Sequence, residues 1–395
     1  MRDSGTWAVV WAATLALASA AWADHFDWTF QQVDPGGVQS MHVAMAMRTG
    51  ATWPTVFHDG SQYNLSDQVV ASSLTPVGWL PTGLGGFNSP GSFVRARPGQ
   101  DGRVGAAFYS EYGIRFAQSS AGGWQSSVVA ASTPPGSDFA PDVDYVSGNR
   151  PVVAYADAHS QNLHVSVYNG IGWETETVIP NFGGPQFSHG EGVSLAADSL
   201  DRLGLAYTAS GGVCFAFKNS LSGTWNGAQV CTTSTSDMHL SLAFGPNDEP
   251  GLAMLDGNGT LDYAWFNMQT GAWQVDNLAT SVSSRRVNLA FDSTGNPALA
   301  YVDADGRLTY SINDGGGWTH TVLPSELDPE SGLVVTPINY TDAALAFDAH
   351  NIPLIAYHSQ QSGLLLAYDP TIPEPTSAMA LLAAVGALAC RRTRS

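Results

Sequence analysis

Tryptophan recurs along this chain at a nearly fixed interval: Trp28, Trp79, Trp124, Trp173, Trp225, Trp273 and Trp318, with gaps of 51, 45, 49, 52, 48 and 45 residues. A period of that length belongs to repeat architectures, whose units cannot bury their apolar faces alone and stack on one another. Each unit reads as about four short strands, the content of one propeller blade. The clearest unit spans 286–322. Strands at 287–291, 297–301, 308–312 and 318–322 are separated there by the turns 292–296, Asp305-Gly306 and 314–317. Asp305-Gly306 favours a type I′ hairpin, and the last strand alternates apolar and polar as an outer strand should.

A second signal counts the blades. An alanine followed by an aromatic or methionine recurs as Ala107-Phe108, Ala154-Tyr155, Ala206-Tyr207, Ala253-Met254, Ala300-Tyr301 and Ala356-Tyr357, with a weaker copy at 54–57. Seven such second strands match seven tryptophan strands, with an offset. After Tyr357 comes a third strand (364–368) but no tryptophan strand, whereas residues 28–33 match 173–178 at the other end. The expected fold is an all-β, seven-bladed propeller closed by the N-terminal strand joining the last blade. Six blades with a separate N-terminal strand is the alternative. Closure would remove the exposed sheet edges that an open array presents.

Composition agrees. Charged residues make up 12% of the 395, while Gly (42) and Pro (22) are plentiful, a mixture suited to short strands and tight turns. The net charge of −19 becomes about −22, from 11 basic and 33 acidic residues, once Arg2, Asp3, Arg391, Arg392 and Arg394 are set aside. Such a surface repels phosphate backbones and argues against nucleic acid as a partner.

The two ends speak to location. Residues 1–23 combine Arg2, an apolar stretch at 7–18 and Ala21-Trp22-Ala23 before Asp24, the pattern of a signal peptide cut by a signal peptidase. At the other end Pro373-Glu374-Pro375 precedes an apolar segment at 376–390 and the cluster Arg391-Arg392. This order resembles the PEP-CTERM sorting signal of bacterial envelope proteins. The resemblance implies processing by an exosortase-like protease near the Pro-Glu-Pro motif after transient anchoring in the membrane, with the arginines on the cytoplasmic side. The domain organisation expected is therefore a signal peptide (1–23), a propeller (24–370) and a sorting tail (371–395), exported to the cell envelope, outer surface or medium. Cys214 and Cys231 fall on consecutive strands nearly opposite each other, so an oxidising compartment favours a disulfide worth about 3 kcal/mol, with two free thiols as the alternative.

Residues 311–318, Ser-Ile-Asn-Asp-Gly-Gly-Gly-Trp, resemble the Asp-box of sialidase-like propellers. In that family the box is a structural turn away from the catalytic centre, and the other copies here lack its acidic residue. Catalytic motifs are otherwise missing: there is no Gly-x-Ser-x-Gly elbow, no His-Glu-x-x-His helix and no phosphate-binding glycine loop. The arginines Arg95, Arg97, Arg285 and Arg286 form no sialidase motif. Chemistry at a propeller's axis would come from the heads of the first strands. Aligning them gives a polar column of His42, Ser92, Asp142, Gly192 (with Glu191 beside it), His239, Arg286 and Asp342, fit to hold a polar ligand or simply water. Tyr109, Tyr112 and His358 are loop candidates for the same role. Asp59, Asp157, Asp256 and Asp303 follow the second strands in Asp/Asn/Gly turns that would admit calcium or serve as ordinary turns. No metal site or cofactor is otherwise expected. The reading is a non-catalytic recognition or scaffold propeller, for polysaccharide or another surface component. A glycan-active hydrolase or lyase at the channel mouth, for instance with Asp142 and Glu191 as its acid pair, is the alternative.

Overall fold

The computed structural model describes residues 28–369 apart from the connecting stretches 36–41, 49, 61–67, 85–92, 111–112, 132–140, 158–159, 181–191, 210–211, 232–237, 268, 285, 326, 329–330 and 338–341. Over these residues the chain forms strands β1–β28 in seven four-stranded antiparallel sheets. Blades one to six are consecutive four-strand meanders over 43–83, 95–131, 142–179, 193–231, 239–279 and 288–322. The seventh has the order β1-β28-β27-β26, in which β1 (Thr29–Asp34) supplies the outer strand beside β28 (Gly363–Tyr368). Gln31 lies opposite Leu366 and Phe30 opposite Ala367. The seven-bladed expectation holds, including the borrowed strand. The signal peptide and the sorting tail lie outside the described residues. Among those described, no helix is long and apolar enough to cross a membrane.

Burial follows position in the blade. Second strands such as β7 (Val104–Ser110) and β27 (Pro353–Ser359) are buried throughout, because both faces pack on neighbouring blades. Fourth strands such as β13 (Trp173–Ile179) are only intermittently covered. The recurrent tryptophans carry the packing between blades. Trp173 meets Phe116 edge-on at 5.5 Å, Trp273 meets Phe215 at 5.1 Å, Trp318 meets Tyr263 at 5.1 Å and Trp28 meets Tyr310 at 5.8 Å. In each pair the partner belongs to the third strand of the preceding blade. Such edge-to-face pairs contribute about 0.5–1.5 kcal/mol each beyond the area they bury.

The innermost strands β2 (Val43–Ala46), β6 (Arg95–Pro98), β10 (Asp142–Val146), β14 (Val193–Ala197), β18 (His239–Phe244), β22 (Asn288–Phe291) and β26 (Ala343–Phe347) ring the axis, each beside the next. In β14, β18, β22 and β26 an axis-facing N–H has no strand partner, and a side chain of the preceding blade accepts it instead. Asp142 Oδ2 accepts Leu195 N (2.9 Å), Ser194 Oγ accepts Leu242 N (2.9 Å), Ser241 Oγ accepts Leu289 N (3.0 Å) and Asn288 Oδ1 accepts Leu345 N (3.1 Å).

A second ring links the turns between first and second strands. Asn149, Asp201, Asp248 and Asn351 all take positive φ (56–68°), a left-handed conformation that Asn and Asp tolerate. Each accepts an N–H from the preceding blade's turn: Asp101 N to Asn149 Oδ1 (3.4 Å), Ser147 N to Asp201 Oδ1 (2.6 Å), Ser199 N to Asp248 Oδ1 (2.9 Å) and Ser293 N to Asn351 Oδ1 (2.8 Å).

Two local expectations change. In Asp305-Gly306 only Gly306 has positive φ (76°), so the turn is not type I′, which needs both residues left-handed. Cys214 and Cys231 are free thiols. A bulge at Val213/Cys214 sets Cys214 opposite Gln229 and Cys231 opposite Val213. Cys214 packs in the core shared with blade three and Cys231 in the core shared with blade five, so they sit on opposite faces of the sheet.

If β1 closes the wheel, deleting 28–34 uncovers β28, every residue of which is buried. The truncated protein is expected to associate through that edge in light scattering. A synthetic peptide of residues 28–34 is expected to return it to a monomer.

Candidate functional site

The predicted axial column is only partly in register. Measured against the alanine of the second-strand motif, Asp142 faces Ala154, while Ser194 faces Ala206, Ser241 faces Ala253 and Asn288 faces Ala300. Gly192, His239, Arg286 and Asp342 lie two residues earlier, and His42 one residue before its blade's equivalent, Val43. Asp142 is therefore a strut. Its Oδ2 takes Ser194 Oγ (2.7 Å) and Leu195 N (2.9 Å), and its Oδ1 takes Val143 N (2.8 Å). Ser92, Glu191 and Tyr112 lie outside the described residues. Tyr109 is buried against the blade-three core.

What does assemble is a buried polar cluster where blades six, seven, one and two meet. Asp342 Oδ2 lies 3.3 Å from His42 Nδ1 and 3.7 Å from Arg286. The Arg286 guanidinium stacks over Phe93 at 4.8 Å, and the His42 ring lies 4.8 Å from the same phenyl. Arg95, outside the predicted column, joins them and reaches across the axis to Leu240 O (3.4 Å). It occupies the level of Asp142, facing the motif alanine Ala107. At the ends of β1, β3 (Thr55–Gly60) and β27, Asp34 lies 3.4 Å from His58 and the His58 and His358 rings are 6.0 Å apart. Burial alone would raise the Asp342 carboxyl, yet Arg286 and His42 hold it below its ordinary range. Burial lowers Arg95, assisted by repulsion from Arg286. Asp342 is held as the ionised partner of Arg286, and Asp142 as an acceptor for N–H groups. Neither state suits a general acid.

The suggested calcium turns are occupied by their own backbones. Asp256 accepts Asn258 N (2.9 Å) and Thr260 N (2.7 Å), and Asp303 accepts Asp305 N and Arg307 N (both 2.9 Å). Asp157 accepts Ser160 N (3.2 Å). The Asp59 side chain lies outside the described residues. Among those described, no three His, Cys, Asp or Glu side chains converge as a metal site.

A site that sequence reasoning missed lies between blades four and five, a groove of about 320 Å³. Its floor is aromatic: Phe215 and Phe217 stack at 6.1 Å, and Trp273 closes on Phe215 (5.1 Å) and Phe266 (5.7 Å). Arg202 lies over Phe217 at 5.4 Å, held by an ion pair to Asp198 and by Asp248 at 3.7 Å. The groove is open because of one position on the fourth strand. In blade two Ser127 accepts Trp173 Nε1 (3.1 Å), and in blade three Glu176 accepts Trp225 Nε1 (3.1 Å) and pairs with Lys218. In blade four this place, facing Phe215, is Ala228. It offers Trp273 no acceptor and little bulk. Gly204 is needed beneath: a Cβ there would meet Phe244 at 2.9 Å.

No family model matches the chain, and no curated protein matches it in sequence. Among solved structures it is similar to the fucose-specific lectin from Aleuria aurantia, at 14% identity over 73% of this chain and 97% of the lectin, with a TM-score of 0.50. It is also similar to a mutant of AofleA from Arthrobotrys oligospora, at 12% identity over 75% of this chain and 90% of that one, with a TM-score of 0.50. At these identities the likeness is one of fold.

The seam makes a pH prediction. Burial, then repulsion from His58, pushes the His358 imidazole down to about 3, with His42 adding to the repulsion and Asp342 opposing it. Neither ring nitrogen has a hydrogen-bond partner among the described residues. The unfolded chain takes up this proton near 6.5 and the folded chain does not, so this contribution to stability is complete above about pH 6.5 and lost as the pH falls toward 3. Denaturant titrations of the parent protein are expected to lose roughly 2–3 kcal/mol from this group between pH 6.5 and 4.5. His358→Leu is expected to lack that component; an unchanged slope would refute the assignment.

Proposed function

We propose that the chain is an exported, non-catalytic propeller that recognises carbohydrate, and that the groove between blades four and five is where it does so. The observation that carries the reading is the Ala228 position, which leaves Trp273, Phe217 and Phe266 half-buried beside Arg202, Asp248 and Asn226. A sugar ring presents apolar C–H faces and polar hydroxyl edges, and matches a site with an aromatic floor and a charged rim. Arg202, anchored by two carboxylates, retains donors for hydroxyl or carboxylate oxygens, and Asp248 supplies acceptors. The fold's likeness to lectins agrees with this but does not choose the sugar. Non-catalytic binding is favoured because the axial carboxylates Asp142 and Asp342 are held in structural bonds.

Saturation-transfer NMR against a monosaccharide panel that includes fucose, backed by a glycan array, tests the site. Ala228 pairs with Phe215 on the face of the sheet that forms the groove, so Ala228→Phe fills it. It is expected to abolish binding, and Arg202→Gln to weaken it about tenfold or more. Binding that survives Ala228→Phe would place the sugar elsewhere.

Export is the second part of the proposal, resting on the residues at the two ends of the chain. Intact-mass analysis of the secreted protein is expected to find Asp24 at its start and no residue of the apolar segment 376–390. Retention of either segment in the exported form would refute it.

A further inference from the structure

On the face carrying the turns between first and second strands, the axis opens into a cavity of about 320 Å³ that carbohydrate recognition does not use. Polar and apolar groups share its wall. Leu242, Leu289 and Leu345 line it, and two residues further along the same strands Phe244, Phe291 and Phe347 stand nearer the mouth.

Two charges interrupt this wall, Arg97 of β6 and Asp144 of β10, from neighbouring blades. Asp144 is anchored: Oδ1 accepts Tyr145 N and Oδ2 accepts Ala197 N, both at 2.8 Å. A carboxylate offers about four acceptor positions, so room for further donors remains on it. Burial raises this carboxyl, and Arg97 is the foremost influence opposing the rise, so the guanidinium's charge reaches it. Yet among the described residues the two form no ion pair, and the one hydrogen bond of Arg97 runs to its own neighbour, Ala96 O, at 3.4 Å. A five-donor fork and a fixed carboxylate therefore share one chamber without closing on each other.

We propose that this axial cavity binds a small zwitterion with an apolar body, of the class of an apolar α-amino acid. Its carboxylate lies on Arg97, its ammonium on Asp144 and its side chain against the leucine and phenylalanine wall. A simple hydrocarbon would leave both charges unanswered, and a simple anion or cation would answer only one. The volume is at the small end of ligand pockets, which suits a molecule of this size.

Calorimetric titration of the mature chain with L-leucine and L-phenylalanine tests this. The comparison ligands are 4-methylpentanoate, which is leucine without the ammonium, and 3-methylbutylamine, which is leucine without the carboxylate. Both amino acids are expected to bind, and each truncated analogue to bind about tenfold more weakly than leucine or worse. Arg97→Gln is expected to erase the preference for leucine over the amine, and Asp144→Asn the preference over the acid. Ala290→Phe fills the chamber without touching either charge and is expected to remove all binding. Should Asp144→Asn fail to fold because Ala197 N loses its acceptor, the other two variants still decide. Truncated analogues as tight as leucine, no heat from either amino acid, or an unaffected Arg97→Gln variant would each overturn the proposal. Ala228→Phe should leave this binding intact, since neither Arg97 nor Asp144 lines the groove.

Discussion

The edge of an indole against the preceding blade is the contact from which the rest of this wheel follows. A four-stranded sheet with two apolar faces is stable only when both are covered, and a ring is the arrangement in which none is left out. The chain solves this with one residue per blade, carried at the start of each fourth strand. Where the preceding third strand lacks a ring, aliphatic partners substitute: Trp225 packs in the core holding Val165, and Trp79 in the core holding Leu366. The closing blade obeys the same rule, since Trp28 reaches Tyr310 of blade six although more than 280 residues of chain separate them. Closure is therefore the seventh instance of the repeat's ordinary interface.

Around the axis the constraint is polar. Innermost strands carry backbone donors that no strand accepts, and leaving one buried and unpaired costs about 1–3 kcal/mol. From blade three to blade six the chain places Asp142, Ser194, Ser241 and Asn288 at one level to meet them. At the same level blades seven, one and two have Ala344, Met45 and Arg95. That sector is where Asp342, His42, Arg286 and the His58–His358 pair gather. The polar residues of the channel are thus divided between struts and a charged seam. Their chemistry follows from that division rather than from their common position on the axis.

The fold was legible because its signals are periodic: tryptophans counted fourth strands, Ala-aromatic pairs counted second strands, and the offset between the two counts exposed the borrowed β1. The axial ring was legible only to within three residues. A two-residue slip keeps a side chain on the same face of its strand, so apolar alternation cannot detect it, and Asp142 fell into a column with Asp342. Arg95 escaped because the column passed through Ser92, three residues earlier, and its level is visible only once it is seen opposite Ala107. Cys214 and Cys231 look adjacent when strands are drawn as a flat hairpin. One bulge at Val213/Cys214 sends them to opposite faces. The groove was invisible for a different reason: it opens where Ala228 lacks a longer side chain, and its walls come from six strands and two turns of two blades.

Repetition explains how a site arises at an interface between blades. Every pair of adjacent blades brings a tryptophan towards a fourth-strand residue of its neighbour, so each interface is a groove by default. The side chain at that position decides whether it stays one. Glu176 draws in Lys218 and Trp225 and fills the space; Ser127 binds Trp173; Ala228 does neither. The scaffold is indifferent to the choice, because each indole still buries its edge on the preceding blade. The aromatic floor that recognition needs is thus the packing surface that stability already requires, left uncovered where the fourth strand carries Ala228.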